Sequence, residues 1–162
     1  TWGQLGVTGP LANTPISMYG RNSASGTYGF FKEHALCKGD FKDSVKEQPG
    51  SASVVQGVTE DKAGIGYSGI GYITSGVKPI KLGESAEACA APTLENVTSG
   101  TYPLGRYLYL YVNKKPNEAL DPLRLEFLKF VLSKEGQEVV IKDGYLPIPA
   151  SVEAEQLKLI GN

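Results

Sequence analysis

The chain has 162 residues, enough for one ordinary domain or two small lobes. Charged residues make up 20% of it, with the signs balanced at a net charge of −1, which argues against general nucleic-acid binding, since that rests on a surplus of Lys and Arg. No apolar run approaches the ~20 residues that cross a bilayer, and Thr1-Trp2-Gly3 opens without the basic and apolar regions of a signal peptide, as a mature or truncated chain would.

Twenty glycines, ten prolines and nine tyrosines stand against one methionine and one histidine, a balance that points to many turns and short strands. Residues 1–15 read as irregular. PISMYGR (15–21) predicts a short strand with Ile16, Met18 and Gly20 facing one way. Ser23 or Ser25 can then cap a helix that carries Tyr28, Phe31 and Ala35 at helical spacing and stops at Cys37-Lys38-Gly39-Asp40. Pro49-Gly50-Ser51 starts a second helix with Val54, Val55 and Val58 on its apolar side. AGIGYSGIGYITSG (63–76) reads as strand, turn, strand, and VKPIKL (77–82) as a further strand.

From Glu84 to Ala91 the chain turns small and polar, a surface connection, and TLENVTSG (93–100) predicts one or two helical turns. YPLGRYLYLYVNK (102–114) is the clearest strand, apolar or aromatic on both faces, which suits burial on two sides. Asp121 as cap and Pro122 at the first helical position open a helix to about residue 142. Leu125, Leu128, Val131, Leu132, Val139 and Val140 form its stripe, and Gly136 is a candidate break. Two prolines follow, then one more short helix. The alternation of strands and helices predicts an α/β fold.

Arg21, followed by Ser25-Gly26-Thr27 at a helix start, makes a coherent anion site. The first N–H groups of a helix lack internal partners. Glycine allows close approach to the backbone, the hydroxyls add donors, and a guanidinium brings a planar fork to a tetrahedral oxyanion. An ordinary serine cap beside a surface arginine is the competing reading. The Gly-Lys-Ser/Thr ending of a nucleotide P-loop is missing. GIGYSG (64–69) matches G-x-G-x-x-G, but it follows polar TEDK and runs into strand-like residues, so it reads as a glycine-rich strand pair rather than a dinucleotide fingerprint. His34 stands alone, and the carboxylate pairs Glu60/Asp61, Glu84/Glu87 and Glu153/Glu155 read as solvated. NVT (96–98) matches a glycosylation acceptor. Cys37 and Cys89 are too few for a metal site; they are either one disulfide or two buried small hydrophobes. No nucleophile, base and orienting group assemble, so the chain reads as a binder that uses no metal or cofactor.

TWGQLGVTG, ISMYGRNSASGTYGFFKEHAL, DKAGIGYSGIGY, PTLENVTSGTYPLGRYLYLYVNKKP and EFLKFVLSKEGQEVVIKDGYLPIP resemble, in sequence and order, the phosphate-binding proteins of bacterial ABC phosphate importers over nearly the whole chain. The resemblance implies a two-lobed type II periplasmic binding protein that closes over inorganic phosphate between its lobes. Its Arg-x-x-x-Ser-Gly-Thr element would supply half the phosphate ligands, here Arg21, Ser25, Gly26 and Thr27, with Asn22 and Ser23 inside the loop as support.

Such proteins are roughly twice this length, so the resemblance implies that an N-terminal half is absent, together with its hydroxyl and backbone donors and its acceptor carboxylate. Residues 1–82 would be the second lobe, 83–100 a connection, and 101–162 the returning strand and helices that complete the first lobe. Leu108, Leu110, Leu125, Leu128, Val131 and Leu132 would then be bare, although burying each such side chain is worth about 1.5–3 kcal/mol. The expected partners are an ABC permease and either the missing half or a second copy exchanging the returning segment, in the periplasm or at the cell surface. The rival readings are a secreted phosphatase and a phosphate-sensing or adhesion protein on the same scaffold.

Overall fold

Strand β1 (Ser17–Arg21) lies at the centre of a three-stranded parallel sheet of order β2-β1-β3, flanked by β2 (Lys46–Gln48) and β3 (Gly64–Gly66). The structure, a computed structural model, describes residues 1–161. The chain divides into two units, Thr1–Ile80 and a second beginning at Lys81.

In the first unit, helix α1 (Gly26–Ala35) leads from β1 to β2, and α2 (Ser51–Glu60) leads from β2 to β3. Side chains alternate across a strand, and β1 uses both of its faces. Tyr19 lies against α2, where a Cβ on Gly57 would fall 2.5 Å from its ring. On the opposite face, a Cβ on Gly20 would fall 2.8 Å from the ring of Tyr67. That ring stacks on Phe31 of α1 with centroids 4.2 Å apart. The two helices therefore cover opposite faces, as right-handed crossovers demand for this strand order. Val54, Val55 and Ala63 are buried, and Gly66 leaves room for Val54 and Val58, whose methyl groups would meet a Cβ there at 2.9 and 3.1 Å. Phe41 joins the opposite cluster, with its ring 4.5 Å from Tyr28 and 5.6 Å from Tyr67.

Residues 1–15 hold one 3-10 turn, Trp2–Leu5, and the Trp2 indole donates to the Ala63 carbonyl at 3.1 Å. β2 escapes the sequence pattern because Lys46 and Glu47 are exposed and polar; backbone pairing with β1 alone makes it a strand. The expected second strand of 63–76 does not form. After β3, the Tyr67 and Ser68 hydroxyls bond to the Arg21 and Ser51 carbonyls, and the chain turns through a 3-10 segment, Ile70–Tyr72. GIGYSG thus begins in a strand and opens no α-helix.

Asp61 is ordered rather than solvated. Its carboxylate accepts from the Ala63 N–H at 3.0 Å and the Tyr19 hydroxyl at 3.1 Å, and Lys46 Nζ lies 3.5 Å away. Hydrogen bonding from the Ser17 hydroxyl and the Ala63 N–H, followed by Tyr19 and the Lys46 charge, holds its pKa below the usual aspartate value against the opposing effect of burial. Glu60 takes a bond from Gln56.

The expected strand 77–82 is reduced to a single antiparallel bridge in the second unit, Leu82 to Ala90, and Pro79, near the end of the first unit, has no N–H for a ladder. Helix α3 (Leu94–Thr98) is capped by Thr93, and the Asn96 side-chain amide is engaged by the Ala91 carbonyl at 2.9 Å. The segment 102–114 is not a strand. Its residues suit a pleated surface, but strand structure requires a neighbour for the backbone groups, and among the described residues none lies beside it. Tyr107 through Val112 are all exposed, Tyr111 at 94%.

Asp121 caps α4 (Pro122–Leu132), accepting from the Leu123 and Arg124 N–H groups. The predicted long helix breaks at Ser133, which closes α4 and caps α5 (Lys134–Lys142) through the Gly136 N–H. Gly136 is instead a packing requirement: a Cβ there would lie 2.0 Å from the Phe130 carbonyl oxygen. Gln137 latches the segment leading to α6 (Ala150–Ile160), donating to the Val131 carbonyl at 2.8 Å and accepting from the Ile148 N–H at 2.9 Å. α5 and α6 both pack on α4. Leu128 is therefore buried, and Leu125, Val131 and Leu132 are half-buried rather than bare, while Leu108 and Leu110 are exposed as expected. Leu123, Phe127 and Phe130 form the exposed side of α4. Both thiols are free and exposed, neither bridged nor buried. Cys37 sits in the left-handed turn that ends α1, with φ 51°.

Two outcomes follow for the first unit, read by the fluorescence of Trp2, the sole tryptophan. Gly57→Ala lowers the urea midpoint, although alanine is the better helix former, because the methyl group collides with the Tyr19 ring; overpacking of this kind costs about 1–3 kcal/mol. Asp61→Asn is less stable than the wild type at neutral pH, and the difference closes as pH falls below about 4. The sign follows from the lowered pKa in the folded chain: the carboxylate's contribution is present above the unfolded-state pKa and vanishes as it protonates. A gap that stays constant from neutral pH through the acid range would assign the loss to packing alone.

Candidate anion-binding site

β1 and β2 run in parallel with Arg21 opposite Gln48, so their carboxyl ends lie side by side. From the first the chain leaves toward α1 on one face, and from the second toward α2 on the other. Adjacent strands whose onward connections diverge to opposite faces open a crevice at their carboxyl ends, and two helix N-termini, each with unpaired amides, border it.

Arg21 is the last residue of β1. Its backbone is fixed by Tyr67, whose hydroxyl accepts from the Arg21 N–H at 3.1 Å and donates to the Arg21 carbonyl at 3.3 Å. Burial raises the Tyr67 pKa above the ordinary phenol value, which keeps this hydroxyl protonated. The guanidinium extends to the start of α2. Nη1 donates to Ser51 Oγ at 2.8 Å and Nη2 to the Pro49 carbonyl at 3.5 Å. Nε is buried and has no hydrogen-bond partner among the described residues.

Of the two candidate caps Ser23 and Ser25, it is Ser25 that caps α1, with extended backbone and its Oγ accepting from the Thr27 N–H at 3.1 Å. Its own N–H donates to the Asn22 carbonyl at 3.0 Å, which closes the loop. Gly26 is exposed at the first helical position, Thr27 is half-buried, and Ser23 faces solvent. Asn22 therefore supports the loop through its backbone, and Ser23 stands exposed to solvent.

The sequence reading joined Arg21 to the start of α1. The guanidinium's hydrogen bonds run instead to the start of α2, and Ser51, Pro49 and Tyr67 are neighbours of Arg21 that it missed. The signal available was Pro49-Gly50-Ser51, read only as a helix start. Gly50 holds the cap position without a side-chain bond, which leaves the Ser51 hydroxyl one residue late for capping and open to Arg21. His34 belongs to the surface of α1: its ring stacks on Phe30 at 4.2 Å and Nδ1 lies 3.0 Å from the Phe30 carbonyl. Among the described residues, no three His, Cys, Asp or Glu side chains gather as a metal site.

Residues 1–135 match the family described as the PBP superfamily domain. The Phosphate-binding protein PstS of Pseudomonas aeruginosa is 59% identical over 162 residues, 99% of this chain and 50% of that protein. The Phosphate-binding protein PstS of Staphylococcus haemolyticus is 33% identical, covering 98% of this chain and 49% of its own. A solved Clostridium perfringens structure, described as a phosphate ABC transporter substrate-binding protein with bound phosphate, aligns at a TM-score of 0.68 and 25% identity, over 91% of this chain and 56% of that one. The chain spans about half the length of the curated relatives it matches. A parallel sheet with helices on both faces, two helix starts following its carboxyl ends and a match over residues 1–135 lead to one assignment: the chain belongs to the PBP superfamily domain family.

Proposed function

We propose that the chain is part of an extracytoplasmic solute-binding protein that captures inorganic phosphate for an ABC permease, in the periplasm or at the cell surface. Arg21, Ser25, Gly26 and Thr27 are this chain's share of the cradle. Arg21 meets the dianion with charge-assisted N–H bonds, Gly26 admits an oxygen close to the backbone, and the Ser25 and Thr27 groups add donors. No covalent step is involved; binding and release are the whole activity. Residues 1–82 act as one lobe, 83–100 as a connection, and 101–162 as the segment that completes the other lobe with a partner half or a second copy.

The observation that carries this reading is Arg21 Nε, a cationic N–H that is buried without an acceptor at the edge of a crevice bordered by two helix starts. A donor left unsatisfied in this way costs about 1–3 kcal/mol, more when charged, and an oxyanion is the acceptor that matches it. The relatives' names supply the ligand: two are phosphate-binding proteins, and the Clostridium structure is described with phosphate bound.

Isothermal titration of inorganic phosphate into the chain tests the reading. Arg21→Ala weakens binding by roughly a hundredfold, the order for removing hydrogen bonds to a charged group. Arg21→Lys falls between the two, since it keeps the charge and loses the fork. Wild-type affinity in Arg21→Ala refutes the assignment.

A further inference from the structure

An arginine binds a tetrahedral anion through the N–H groups of its guanidinium that its protein contacts leave over. The five N–H bonds of Arg21 are divided unequally. Nη1 donates to Ser51 Oγ, at the first position of α2, at 2.8 Å, and Nη2 to the carbonyl of Pro49, just before the Gly50 cap, at 3.5 Å. Nε has no partner. Ser51 is only 7% exposed, and its backbone is held in turn by Ser68, whose hydroxyl donates to the Ser51 carbonyl at 3.2 Å. The 2.8 Å contact is the shorter and better formed of the two. Ser51 lies thirty positions beyond Arg21 in sequence, outside the Arg-x-x-x-Ser-Gly-Thr element.

We infer that Ser51 is a positioning residue for the anion site: by accepting from Nη1 it sets the rotation of the guanidinium so that the edge bearing Nε is the one left for the oxyanion. This rests on the phosphate-binding reading above. Ser51 itself touches no ligand in this scheme. Its hydroxyl donor is a separate feature, and Ser51→Thr, which keeps the acceptor oxygen, preserves the arrangement.

The test combines the NMR cross-peak of Arg21 Nε–Hε with titration of inorganic phosphate, on the wild type, Ser51→Ala, Ser51→Thr and Arg21→Ala. In the wild type the cross-peak moves on adding phosphate. In Ser51→Ala it broadens through faster exchange with water, and phosphate affinity falls by about tenfold or more, as for one lost hydrogen bond to a charged group. Ser51→Thr stays within about threefold of the wild type, a rescue that a purely structural account of the buried side chain does not predict, because the added methyl group disturbs packing. Circular dichroism verifies folding; should Ser51→Ala fail to fold, Ser51→Gly carries the same test. Unchanged affinity and an unchanged Nε–Hε peak in the truncated variant, with binding lost in Arg21→Ala, overturn the role of Ser51 alone. Binding that survives in Arg21→Ala, or a wild-type peak indifferent to phosphate, overturns the reading beneath it.

Discussion

A central strand paired in parallel on both edges must be left and rejoined over the two faces of its sheet, once for each neighbour. β1 obeys this rule with the smallest possible set of parts, three strands and two helices. Tyr19 and Gly20, consecutive residues, divide the work. One presents a large ring to α2, and the other presents nothing, so that Tyr67 can close against the backbone. The crevice at the carboxyl edge is a by-product of this topology and exists before any ligand chemistry is considered.

What that crevice contains is decided by how a guanidinium can be kept there. Withdrawing a cation from water is costly unless its donors find acceptors. Arg21 has acceptors for its terminal nitrogens in Ser51 and Pro49 and a backbone clamp in Tyr67, whose ring is itself pinned by Phe31 and Phe41. The aromatic cluster therefore does more than fill a face of the sheet: it transmits the position of α1 to the residue at the end of β1. Ser25 follows a different logic. Its side chain takes up one of the first amides of α1, the Thr27 N–H.

Features governed by local chemistry were legible from residues alone. A serine cap for α1, narrowed to Ser23 or Ser25, and Asp121 with Pro122 opening α4 each need only a few adjacent positions. Features that depend on a remote partner were not. Lys46–Gln48 is a strand only because β1 lies beside it. The segment 102–114 has every side-chain attribute of a strand and lacks the neighbour. The link from Arg21 to Ser51 crosses thirty positions, and the capping preference that flags a serine near a helix start does not tell which group its hydroxyl will meet. The break at Ser133 was mistaken for one at Gly136 because glycine signals flexibility in a sequence, whereas here it marks two backbones in close approach.

The run Tyr107–Val112 has six uncharged residues of high strand propensity and contains neither proline nor glycine. Identical copies of such a hexamer can stack edge to edge into dry, interdigitated ribbons. Arg106 precedes it, and Lys114 and Lys115 follow it closely. In a parallel in-register stack each cation would sit about 4.8 Å above its own copy, and in an antiparallel one the arginine would approach the lysines. Cationic gatekeepers at both ends thus oppose fibril growth by either arrangement, and their repulsion fades as salt shortens the screening length.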